Sequence, residues 1–73
     1  MVTVYTLPAC VQCDSTKRML TKNGTPFEVV DLSQDSEAMD MVRELGYAAA
    51  PVVVYGDTHW SGFRPDMIAS LAQ

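Results

Sequence analysis

An α/β fold, with a four-stranded mixed sheet covered by three helices, is predicted by three observations on this 73-residue chain. The first is the alternation in Val2-Thr3-Val4-Tyr5-Thr6. The second is a pair of helix-period stretches that each run into a glycine, Gly24 and Gly46. The third is the apolar run Pro51-Val52-Val53-Val54-Tyr55. Alternation at period two marks a half-buried strand, recurrence near 3.6 marks an amphipathic helix, and a short continuous apolar run marks a central strand. In chain order these give β-α-β-α-β-β-α, with two parallel strands joined by a crossover helix and a later hairpin.

Each element has its own justification. Val2 to Thr6 is rich in β-branched residues, and Leu7-Pro8-Ala9 turns the chain. Val11 to Asn23 is helical, with Cys13, Thr16, Met19 and Leu20 as its inward face and Asn23-Gly24 as its stop. Pro26 to Leu32 supplies a second strand through Phe27, Val29 and Val30. Ser33 to Ser36 offers several helix N-caps, after which Ala38, Met41, Val42 and Leu45 recur at helical spacing until Gly46. Pro51 suits only the start of the third strand, because proline cannot donate to a sheet ladder. Gly56-Asp57 is a turn, and Thr58 to Ser61 a short fourth strand antiparallel to the third. Pro65 fits the first position of a last helix, Asp66 complements its dipole, and Met67, Ile68 and Leu71 face inward.

One domain spanning 1–73 is expected, with 48% hydrophobic residues available for its core. A net charge of −4 argues against general nucleic-acid binding. Lys17, Arg18 and Lys22 lie on the first helix, while Glu28, Asp31, Asp35, Glu37, Asp40 and Glu44 follow with only Arg43 among them. These read as two solvated faces. Met1 to Tyr5 lacks the basic and long apolar regions of a secretory leader, and no stretch is long enough for a membrane span. A cytoplasmic protein, where thiols stay reduced, is expected.

The chain has two cysteines, Cys10 and Cys13, in Cys-Val-Gln-Cys at the start of the first helix. A bridge closing so short a loop adds little stability in the chain-entropy model, so chemistry explains the pair better than stapling does. Two thiols at a helix N-terminus can close and reopen, and the helix end favours the thiolate. Half of a zinc site is the competing reading. A structural zinc usually takes four ligands, and the other good candidate here is His59.

The element order, with C-x-x-C opening the first helix and proline opening the third strand, resembles the thioredoxin/glutaredoxin fold over the whole chain. Cys10-Val11-Gln12-Cys13, Ala50-Pro51-Val52-Val53 and above all Trp60-Ser61-Gly62-Phe63-Arg64-Pro65-Asp66 resemble the NrdH-type redoxins. The resemblance implies a dithiol–disulfide oxidoreductase, monomeric, with no bound cofactor beyond a redox-active Cys10–Cys13 disulfide. It implies thioredoxin reductase, drawing on NADPH, as electron source and the large subunit of class Ib ribonucleotide reductase as acceptor. The alternatives are a glutaredoxin recycled by glutathione and a metal- or cluster-binding module using both thiols.

By the same resemblance Cys10 is the attacking thiol and Cys13 the resolving one, with Val11 and Gln12 tuning partner contact. Pro51 is expected to be cis and to face the cysteines, turning the backbone of Ala50 outward to a bound peptide. Trp60, Phe63 and Met67, taken alone, read as core. In the resembled fold, however, the loop after the fourth strand lies near the cysteines, so Trp60, Ser61, Gly62, Phe63 and Arg64 are expected partner contacts. Arg64 and Asp66 are positioned to pair. Glutaredoxins hold glutathione here with a small polar and acidic segment that Ser61-Gly62-Phe63-Arg64 lacks. The chain departs from the resembled redoxins at Leu7, where such proteins often carry a lysine. His59 is expected as a solvated strand residue, and Tyr5, Tyr47 and Tyr55 as packing.

Overall fold

The computed structural model describes residues 1–72. Its elements are β1 (Val2–Thr6), α1 (Val11–Lys22), β2 (Phe27–Asp31), α2 (Ser36–Glu44), β3 (Val52–Tyr55), β4 (Thr58–Ser61) and α3 (Pro65–Ser70). The sheet order is β2-β1-β3-β4. β1 and β2 are parallel, while β1–β3 and β3–β4 are antiparallel. This is the thioredoxin/glutaredoxin arrangement expected from the sequence, with helix and strand ends shifted by a residue or so.

Each face of the sheet carries its own core. On one face Val2, Val4, Val53 and Trp60 pack with Leu20 of α1 and Ile68 of α3. On the other, Val52 and Leu32 pack with Val42 of α2, helped by Tyr5, Leu7, Met39 and Tyr47. Val52 and Val53 are adjacent yet wholly buried in opposite cores. That two-sided burial is why β3 reads as a continuous apolar run, whereas β1 keeps the alternation of a strand whose second face is only half covered. β2 is an edge strand, and its Val29 is exposed.

Trp60 requires a correction. β4 is in register with β3 at Val53↔Trp60, so the period-two alternation sends its indole into the core with Val53. It is 4% exposed and cannot present the partner surface assigned to it from the sequence. Its Nε1 is buried without a hydrogen-bond partner among the described residues.

Helix ends follow local chemistry. The Asp35 side chain accepts from Ala38 N–H at 3.0 Å and caps α2. Asp31 instead takes the Ser33 N–H at 2.8 Å and its hydroxyl at 2.6 Å, forming a turn. The same two bonds hold the exposed Asp31 carboxyl below its ordinary value, the hydroxyl bond being the larger cause. Gly46, at φ +92°, occupies the left-handed region after α2, and Tyr47 N–H then closes on the Val42 carbonyl at 3.2 Å.

Candidate functional site

Strand direction brings three segments to one end of the sheet. Tyr5 pairs with Val52, and Val52 with Ser61. The chain leaving β1, the chain entering β3 and the chain leaving β4 therefore meet there. They carry Cys10, Pro51 and the Ser61–Arg64 loop respectively.

Cys10 is the N-cap of α1, in extended geometry at φ −110° and ψ 104°. It and Cys13 are joined as a disulfide, with Cα atoms 5.2 Å apart. The backbone N–H of Cys13 donates to Cys10 Sγ at 3.1 Å. Cys10 is half-buried at the helix tip, while Cys13, one turn in, is 1% exposed. A thiolate on Cys10 would meet that N–H and the positive end of the helix dipole. Asp14 follows in the first turn but lies 3.5 Å from Lys17 Nζ.

Between the cysteines, Val11 is 80% exposed and Gln12 is exposed as well. Gln12 does more than fill a helix start. Its Oε1 accepts from the Phe63 N–H at 3.1 Å, tying the cysteine helix to the loop after β4. Next to this bond, Gly62 stands at φ +85°, and a Cβ there would sit 3.4 Å from Gln12 Oε1. Gly62 N–H donates to the Pro51 carbonyl at 2.8 Å, and the Ser61 hydroxyl to the Ala49 carbonyl at 3.0 Å. The Ala50–Pro51 bond is cis. Among the described residues no hydrogen bond engages the amide or carbonyl of Ala50.

Phe63 is 37% exposed, so this loop aromatic does offer surface. Arg64 forks onto Asp66, Nε to Oδ1 at 3.2 Å and the terminal nitrogen to Oδ2 at 2.9 Å. Those hydrogen bonds hold the Asp66 carboxyl below its ordinary value and raise the Arg64 guanidinium. Both side chains are in water, so the pair orders the turn into α3 more than it stabilises the fold.

Leu7 packs into the α2-side core. With Leu32, Met39, Val42, Arg43, Tyr47 and Ala48–Ala50 it lines a cleft of about 240 Å³. The residue in the place of the frequent lysine is thus part of an apolar wall. Among the described residues, no three His, Cys, Asp or Glu side chains gather to hold a metal ion. His59 is engaged elsewhere, its Nδ1 lying 2.7 Å from the Tyr47 hydroxyl. Neither that pair nor the Gln12–Phe63 bond was readable from the sequence, since each joins residues from different elements. The hairpin signal at Gly56-Asp57 could have placed His59 and Ser61 on one face of β4, but not Tyr47 beside them.

The glutaredoxin family model matches residues 2–60. The glutaredoxin-like protein NrdH of Escherichia coli K12 is 46% identical over 70 residues, covering 96% of this chain and 86% of that protein. The chain belongs to the glutaredoxin family, among its NrdH-like members. The NrdH of Lactococcus lactis subsp. lactis is 39% identical over 72 residues, 99% of this chain and 100% of its own length. The solved NrdH-redoxin of Escherichia coli superposes with a TM-score of 0.95 at 44% identity, covering 99% of this chain and 95% of that one.

This NrdH-like redoxin is a thiol–disulfide oxidoreductase whose redox-active pair is Cys10–Cys13. With Leu7 where a cation would otherwise help, the helix end and the Cys13 N–H are the devices left to favour a Cys10 thiolate. In the reduced protein, Cys10 is therefore expected to titrate moderately below an ordinary thiol. Its attack rate should rise with pH through that value and then level off. Thiolate absorbance against pH checks this, and a value among the strongly acidic redox thiols would overturn it.

Proposed function

We propose that this redoxin carries two electrons from thioredoxin reductase, and ultimately NADPH, to the large subunit of class Ib ribonucleotide reductase. Cys10 thiolate attacks one sulfur of the partner's disulfide; that S–S bond breaks and a mixed disulfide forms. Cys13 loses its proton and attacks Cys10 Sγ. The partner leaves with both sulfurs reduced, taking up a proton on each thiolate as solution pH requires, and Cys10–Cys13 is oxidised. The reductase then returns two electrons to the pair. The protein acts as a monomer, because one end of the sheet serves two different partners in turn, and it works in the cytoplasm, where thiols are kept reduced.

The observation that carries this reading is the seam between the cysteine helix and the Ser61–Arg64 loop. Gln12 and Gly62 close against each other where a glutaredoxin would need a polar, acidic segment for glutathione. Phe63 and Val11 flank that seam as exposed apolar side chains, which suits a protein partner. Pro51 is itself buried, so its role is to turn the backbone of Ala50 toward the partner's backbone, while Val11, Gln12, Ser61, Gly62, Phe63 and Arg64 meet the partner's side chains. The Escherichia coli NrdH-redoxin, described as having a thioredoxin-like activity profile, supports a flavoprotein reductase over glutathione.

Reduction of the oxidised protein is expected to be fast with thioredoxin reductase plus NADPH and slow with glutathione at millimolar concentration. The reduced protein should then support turnover of a class Ib ribonucleotide reductase. Rapid reduction by glutathione alone, with none by the flavoprotein, would overturn the assignment.

A further inference from the structure

Tyr47 and His59 make a contact that the thiol chemistry does not use. The Tyr47 hydroxyl lies 2.7 Å from His59 Nδ1, and the two rings meet edge to face with centroids 5.5 Å apart at 77°. Tyr47 opens the stretch that leads from α2 to Pro51. Its next three residues are alanines, outside any helix or strand. Alanine side chains offer little to hold such a segment in place. The holding comes from β4. His59 and Ser61 project on the same side of that strand by period-two alternation, opposite Trp60. His59 takes Tyr47, and the Ser61 hydroxyl donates to the Ala49 carbonyl at 3.0 Å. Together they grip the segment on either side of Ala48.

We propose that Tyr47 and His59 are positioning residues, whose hydrogen bond fixes the Ala48–Ala50 backbone so that it receives an extended segment of a protein disulfide. This rests on the docking role proposed above for Ala50 and Pro51. The bond holds in either charge state of the imidazole. Neutral His59 accepts the phenol proton at Nδ1, and imidazolium donates its Nδ1–H to the phenol oxygen. The grip is therefore a fixed brace and not a pH switch.

Tyr47→Phe and His59→Ala each remove the bond, and Tyr47→Phe keeps the ring that lines the cleft. Steady-state reduction of insulin, a protein disulfide, is compared with that of bis(hydroxyethyl) disulfide, which is too small to use the backbone segment. Each variant is expected to raise KM for insulin roughly three- to tenfold with kcat unchanged, as loss of one hydrogen bond would. The small disulfide should react at the wild-type rate. The double variant should be no worse than either single one, and His59→Asn, whose Oδ1 can accept the phenol proton, should recover most of the loss. Parallel losses on both substrates, additive losses in the double variant, or an unchanged KM for insulin would overturn the proposal. Failure of the wild-type protein to reduce insulin would instead overturn the docking role itself.

Discussion

Cys10→Ser is expected to abolish reduction of any disulfide, by roughly 10³-fold or more, as loss of a reaction's nucleophile does. The remaining thiol cannot substitute, because Cys13 lies one turn into α1 with its side chain on the inward face, 1% exposed. Cys13→Ser should give a different failure. Its Cys10 still attacks, no second thiol releases the product, and a mixed disulfide through Cys10 accumulates. Mass spectrometry of each variant mixed with an oxidised partner distinguishes the two. Turnover persisting in Cys10→Ser, or a trapped adduct on Cys13, would reverse the assigned roles.

Leu20→Ala is expected to be the most damaging single change away from the thiols. Leu20 is wholly buried at the meeting of α1, β1 and α3, among Val2, Val4, Val53, Trp60 and Ile68. Truncating such a leucine typically costs about 2–5 kcal/mol. Against a total stability of about 5–15 kcal/mol, and nearer the lower figure for so short a chain, that is a large share. Denaturant melts of the oxidised protein should show it as a lower midpoint with an unchanged slope. A loss under about 1 kcal/mol would mean that the core closes over the gap.

What was legible in the sequence is what depends on local pattern. Val2 to Thr6 alternates because one face of β1 is fully covered and the other only half. Pro51 could only precede β3, and Pro65 does open α3. The choice of Asp35 as the cap of α2 was less legible. Ser33, Asp35 and Ser36 could each serve; Asp31 engages Ser33, and Asp35 is the one whose side chain accepts from the Ala38 N–H. The indole of Trp60 lies in the core and not at the surface that loop proximity suggests, because the Val53↔Trp60 register sets the phase of β4. Leu7 could be recognised as a missing lysine but not as a wall of the α2-side cleft, since that role needs Leu32 and Val42 beside it. Tyr47 and His59 stood twelve residues apart as a packing residue and a solvated one, until the hairpin folded them together.

The Gln12–Phe63 bond spans 51 residues of sequence. The dithiol needs only four consecutive residues, but the surface around it needs nearly the whole chain to be in place. Reactivity is thus a local property of this molecule and selectivity a global one. A molecule with its last strand or helix frayed would lose this bond and the loop it holds, while the four-residue dithiol ring stayed intact.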